Sequence, residues 1–139
     1  MQRNKLFSLA IALLLIAIST TSWVSPKSTG DKMPVAITVY VFAMPHPGDN
    51  PATFTITGAF EAQGTSVMTV YPKSGVVVHC TIVLTDGNGT ITIHQECNFA
   101  TKIPQGRWEI VSADGAYANL RGNGSLTMPG NESMVGFIY

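Results

Sequence analysis

Beyond residue 32 the chain is a succession of short runs of Val, Ile, Thr, Tyr and Phe, broken by Gly, Pro, Asn and Asp. No ten-residue stretch there shows a 3.6-residue period, so the pattern predicts strands rather than helices. The expected strands are 34–43, 53–61, 66–71, 76–85, 90–99, 107–112, 119–127 and 133–139. The breakers between them include QG at 63–64, PKSG at 72–75, DGNG at 86–89, ADG at 113–115 and PGN at 129–131. Eight strands joined by short connections predict an all-β sandwich or barrel.

Alternation assigns faces. In the second strand Phe54, Ile56 and Phe60 share one side, with Thr53, Thr55, Thr57 and Glu61 opposite, so one face is buried. The first and last strands are apolar on both faces. If they pair to close a barrel, their outer side is an apolar stripe that a further copy of the chain could cover.

The hairpin 76–99 permits the most specific expectation. Asn88-Gly89 is the favoured pair for a two-residue type I′ turn. That placement pairs Gly87 with Thr90 and sets Cys80 directly opposite Cys97, the only two cysteines. The pair falls on a non-hydrogen-bonded site, where Cα atoms approach to about 4.5 Å. A Cys80–Cys97 disulfide is therefore expected. The same register puts Val76, Val78, Cys80, Ile82, Leu84, Ile91, Ile93, Cys97 and Phe99 on one face, with Gln95 the only polar intruder. His79, Thr81, Val83, Thr92, His94 and Glu96 share the other.

The N-terminus has a different pattern. Arg3 and Lys5 precede an apolar run from Leu6 to Ile18, and small polar residues follow, with Thr20 and Ser22 flanking a cleavage point before Trp23. A membrane-spanning helix needs about 20 apolar residues, so this shorter run reads as a secretory signal peptide. The expected organisation is a signal peptide over 1–22, a flexible leader over 23–33 and one barrel domain over 34–139, exported and without a membrane span once processed.

Composition narrows the function classes. Of 139 residues, 12% are charged and 45% hydrophobic, which suits one domain with one core and excludes a disordered tail. Eight basic residues balance eight acidic ones, and removing 1–22 takes away Arg3 and Lys5 alone. The remainder is mildly acidic, with no surplus to neutralise phosphates, so nucleic acid is not an expected partner.

Candidate chemistry is sparse. His79, His94 and Glu96 could be metal ligands, but in the expected register His94 faces Val83 and Glu96 faces Thr81, which separates the two imidazoles. An exposed polar face accounts for all three. His46 beside Asp49, in MPHPGDNP, reads as a rigid connector. Three sequons, at Asn88, Asn123 and Asn131, would be glycan acceptors in a eukaryotic secretory pathway, yet two of them are also Asn-Gly turn dipeptides. No catalytic motif and no phosphate loop appears. No catalytic, cofactor-binding or metal residue is assigned, and no cofactor is expected.

The stretch GRWEIVSADGAYANLRGNGSLT, residues 106–127, carries a family resemblance. Its pattern Gly-x-Tyr-x-x-Leu-x-Gly-x-Gly, filled by Gly115, Tyr117, Leu120, Gly122 and Gly124, resembles that of the allene oxide cyclase-like and dirigent-like barrel proteins, especially their small secreted members. The resemblance implies an eight-stranded antiparallel barrel, commonly oligomeric, with an apolar cavity that takes hydrophobic or phenolic molecules without a cofactor. On the residues themselves, Gly115 allows a tight turn, Tyr117 and Leu120 can point together at the core, and Gly122 and Gly124 permit close backbone approach. These five read as structural. The function expected is binding of an apolar or phenolic small molecule or of a protein partner. The rivals are a cofactor-independent cyclase that aims Gln95 into the cavity, and a structural envelope protein.

Overall fold

A computed structural model describes residues 30–40, 52–71 and 75–139. The expected signal peptide, most of the leader, and the His46–Asp49 loop lie outside the described residues. Among them no helix is long and apolar enough to cross a membrane.

Eight strands form a closed antiparallel barrel in which every neighbour is consecutive in sequence and the last strand pairs with the first. They are β1 (Met33–Val39), β2 (Ala52–Gly58), β3 (Ala62–Tyr71), β4 (Val77–Thr85), β5 (Thr90–Asn98), β6 (Gln105–Ala113), β7 (Gly122–Thr127) and β8 (Glu132–Ile138). Closure leaves no unpaired edge, because Met33 through Val39 pair with Ile138 through Glu132. The outer face of this seam is apolar as expected, with Val135 and Phe137 about half exposed.

Inside, the alternating residues meet in one core. Val35, Ile37 and Val39 come from β1, Phe54 and Ile56 from β2, Ile82 and Leu84 from β4, and Ile91 and Ile93 from β5, all buried. Trp108 of β6 is the largest, 2% exposed. It fits because β7 and β8 offer it glycines: a Cβ on Gly124 would stand 2.8 Å from the indole Nε1, and one on Gly136 2.8 Å from Cζ2. Its N–H donates to the carbonyls of Ser125 at 3.1 Å and Val135 at 3.3 Å.

One end of the barrel is plugged. A single 3-10 turn, Gly115–Tyr117, starts from Gly115 at φ +61°, and Tyr117 and Leu120 fold inward to 3% and 6% exposure. Phe60 packs on Tyr117 with ring centroids 5.5 Å apart. Phe60 lies in the turn after Gly58 rather than in the strand, so the expected second strand is shorter than its pattern suggested. The break expected at Gln63-Gly64 falls inside β3, where the Phe54 ring fills the space in front of Gly64.

The β4–β5 turn differs from expectation by one residue, with consequences for the cysteines. Asp86 N–H donates to the Gly89 carbonyl, which makes Gly87 and Asn88 the central pair. Neither has the positive φ of a type I′ turn. The Asp86 carboxylate sets this geometry by accepting Asn88 N–H at 2.7 Å and Gly89 N–H at 3.1 Å, an Asx turn. The Tyr117 hydroxyl donates to the same carboxylate at 2.5 Å. Burial alone would push the Asp86 carboxyl up, but the hydrogen bonds from Tyr117, Asn88 and Gly89 outweigh it and hold it below the usual range. Asp86→Ala is expected to destabilise the fold by about 2 kcal/mol, since two half-buried donors, Tyr117 O–H and Gly89 N–H, lose their acceptor together with the exposed Asn88 N–H. Asp86→Asn should recover part of that loss, and urea unfolding midpoints of the three proteins check it.

With the turn moved, Cys80 faces Gln95 and Cys97 faces Val78. The expected direct Cys80–Cys97 opposition is thus corrected: the cysteines are diagonal, and both are free and buried. Burial, then the neighbouring Glu132 charge and Cys97, pushes the Cys80 thiol up to about 11. Burial and Glu132 likewise raise Cys97. Little of either is thiolate at neutral pH, so both resist oxidation.

Candidate functional site

The end opposite the plug holds the polar interior. β8 begins there, and alternation along Glu132, Met134 and Ile138 turns Glu132 inward to 1% exposure. β5 approaches its own end there and turns Gln95 inward to 2% exposure. The two side chains meet, with the Gln95 amide donating to the Glu132 carboxyl and lying 3.1 Å from the Met134 sulfur. Cys80 and Cys97 share this region, and every buried side-chain nitrogen and oxygen among the described residues has a partner.

A carboxyl in such surroundings is a poor anion. Loss of water pushes Glu132 up to about 7, and the Gln95 hydrogen bond offsets only part of that. The group therefore exchanges its proton near neutrality. Around the same end, large apolar side chains stand in solvent: Val70, Tyr71, Val76, Phe99 and Ile103 are each about half exposed. Val76 and Phe99 belong to the expected inward face of the hairpin, yet they lie beyond the ends of β4 and β5, above the closed part of the barrel. Phe99 N–H still donates to the Val76 carbonyl at 2.9 Å, yet both side chains stay about half exposed.

Gln95, expected as a cavity polar group, thus points inward, and its partner is a residue the sequence reading did not single out. Glu132 sits in a strand apolar on both faces, so alternation alone cannot say which side it takes. A carboxylate at the head of an apolar strand was the available signal.

A second cluster lies outside, on the hairpin face. His79 faces Glu96 across β4–β5, and Thr81 faces His94, so the shifted register brings the imidazoles together rather than apart. His79 Nδ1 and His94 Nε2 are 3.5 Å from each other, with ring centroids 5.6 Å apart. Arg107 binds Glu96 Oε2 at 2.8 Å. That hydrogen bond is the main reason the Glu96 carboxyl stays below its usual range.

The five motif residues act structurally: Gly115, Tyr117 and Leu120 build the plug, and Gly122 and Gly124 lie in β7 against Ile138 and Trp108, with Gly124 also bordering the surface depression that holds His94, Glu96 and Arg107. The sequon residues Asn88, Asn123 and Asn131 are all exposed. No protein-family model, no curated protein and no solved structure matches the chain.

Proposed function

We propose that this is an exported barrel that binds a small apolar molecule carrying one hydrogen-bonding group, such as a phenol, at the end where Glu132 and Gln95 lie. The supporting observation is an exposed apolar rim over a buried carboxyl–carboxamide pair. Apolar walls with a few convergent polar groups suit ligands of this kind. The pair does not serve stability well, because burying a carboxyl costs more than packing a methylene chain in its place. The resemblance of the Gly115–Gly124 segment to allene oxide cyclase-like and dirigent-like barrels favours the same class of ligand.

A cyclase-type enzyme is the second reading. It is favoured by the Glu132 carboxyl, whose value near 7 suits a group that gives and takes a proton. Glu132→Gln separates the two, because it keeps hydrogen bonding and removes the proton.

Native mass spectrometry of the full protein recovered from its own secretion medium, beside a denatured sample, tests the proposal. An additional mass that departs on denaturation is expected, on a chain shortened by its first 22 residues. The half-exposed Val135 and Phe137 lead us to expect that mass at a multiple of the chain. Bare protein that also takes up no added naphthol would overturn ligand binding. Bare protein at a multimer mass would leave self-association as its business.

A further inference from the structure

We propose that His79 and His94, with Glu96 as third ligand, form a surface site for a divalent transition metal ion of the zinc, copper or nickel kind. Local chain geometry supplies the parts. Alternation along β4 and β5 turns all three side chains to the outer face, where the imidazoles are half-buried and keep access to water. The register then places Glu96 directly across from His79 and two residues along β5 from His94.

The spacing of the two nitrogens is the central observation. At 3.5 Å, His79 Nδ1 and His94 Nε2 share only a long, weak ring-to-ring hydrogen bond, which a metal ion could replace. Two nitrogens on one tetrahedral zinc ion, each about 2.05 Å from it, stand roughly 3.3 Å apart. The two ring nitrogens therefore already sit close to the separation of two ligands on one metal, and small ring rotations would turn both toward a shared ion. Neutral imidazole nitrogen is the preferred protein donor for these ions.

Glu96 provides the charge. Arg107 holds its Oε2, leaving Oε1 as the oxygen that can turn to the ion. Among the described residues no set of three His, Cys, Asp or Glu side chains is already gathered for a metal, so binding requires Glu96 to rotate against its bond to Arg107. Glu109 lies across from His94 on β6 and adds a second negative charge to the face, whereas Arg107 lies across from Glu96. The site is thus primed by two histidines and restrained by an arginine, and that arrangement makes a signed prediction.

Calorimetric titration of tag-free, metal-free full-length protein with zinc chloride is the test. One zinc per chain is expected to bind. His79→Ala and His94→Ala should each weaken binding at least about tenfold, about 1.4 kcal/mol. Glu96→Gln should weaken it less, and Arg107→Gln should tighten it by freeing the carboxylate. His46 remains in every variant, so binding there would appear as a signal that none of these changes moves. The changes lie on the outer face, and circular dichroism verifies that the barrel persists. The proposal fails if the wild type binds no zinc, or if His79→Ala and His94→Ala bind as the wild type does. An Arg107→Gln variant that binds more weakly would remove Glu96 from the ligand set.

Discussion

Glu132→Gln is expected to make the protein more stable at pH 8 by on the order of 3 kcal/mol, while leaving it nearly unchanged at pH 4. The sign follows from where the proton is held. In the folded chain the Glu132 carboxyl titrates at about 7, against an ordinary value of 4.5. Below that ordinary value the group is protonated in both states, and its folded-state stability is fully present. As pH rises toward 7, the unfolded chain releases a proton that the folded chain still keeps. Stability therefore falls through this window and stays low above it, where folding must bury an anion. Gln at this position cannot ionise, so its unfolding free energy should be flat across the same range. Urea unfolding of both proteins at half-unit pH steps measures the difference. Parallel curves for variant and wild type would mean that Glu132 is not buried as a titrating acid.

Trp108→Ala is expected to cost about 4 kcal/mol, enough to leave a domain of this size marginal or unfolded at room temperature. Three losses coincide at this residue. The largest buried side chain disappears from the core. Its N–H no longer serves the Ser125 and Val135 carbonyls, which lie on adjacent strands. The space it leaves faces Gly124 and Gly136, which have no side chains to collapse into it. Trp108→Phe should retain most of the packing and lose chiefly the hydrogen bond, so its cost should be well under half. Thermal and urea denaturation check the pair. A loss below about 1 kcal/mol for the alanine variant would show that the indole does not fill this interior.

These two residues differ in how legible they were. Trp108 lies in a strand whose alternation is clear, and the glycine-rich stretch after it announces close backbone approach. Glu132 lies in ESMVGFI, where both faces are apolar and alternation has nothing to choose between. Only pairing of β8 with β1 on one side and β7 on the other decides that Glu132, Met134 and Ile138 point inward. Gln95 stood out because every other residue on its face is apolar. Its partner could not be read, because the two are 37 positions apart in the chain.

The hairpin shows where local reading stops. Strand propensity and period-2 alternation belong to each segment by itself, so the sequence alone determined eight strands, an all-β fold and the inward and outward sets on β4 and β5. Sliding the turn by one residue shifts each cross-strand pairing by two positions. A shift of two preserves every face and changes every partner. Cys80 and Cys97 therefore remained inside but lost their opposition, and His79 and His94 remained outside but came together. Where the turn falls was decided by the tertiary structure: the Tyr117 hydroxyl reaches the Asp86 carboxylate, and Ala116 N–H reaches the Asn88 carbonyl at 3.0 Å. Those contacts come from a segment roughly thirty residues downstream. They outweigh the local preference of Asn88-Gly89, because hydrogen bonds that close a barrel end satisfy groups the turn alone would leave to water.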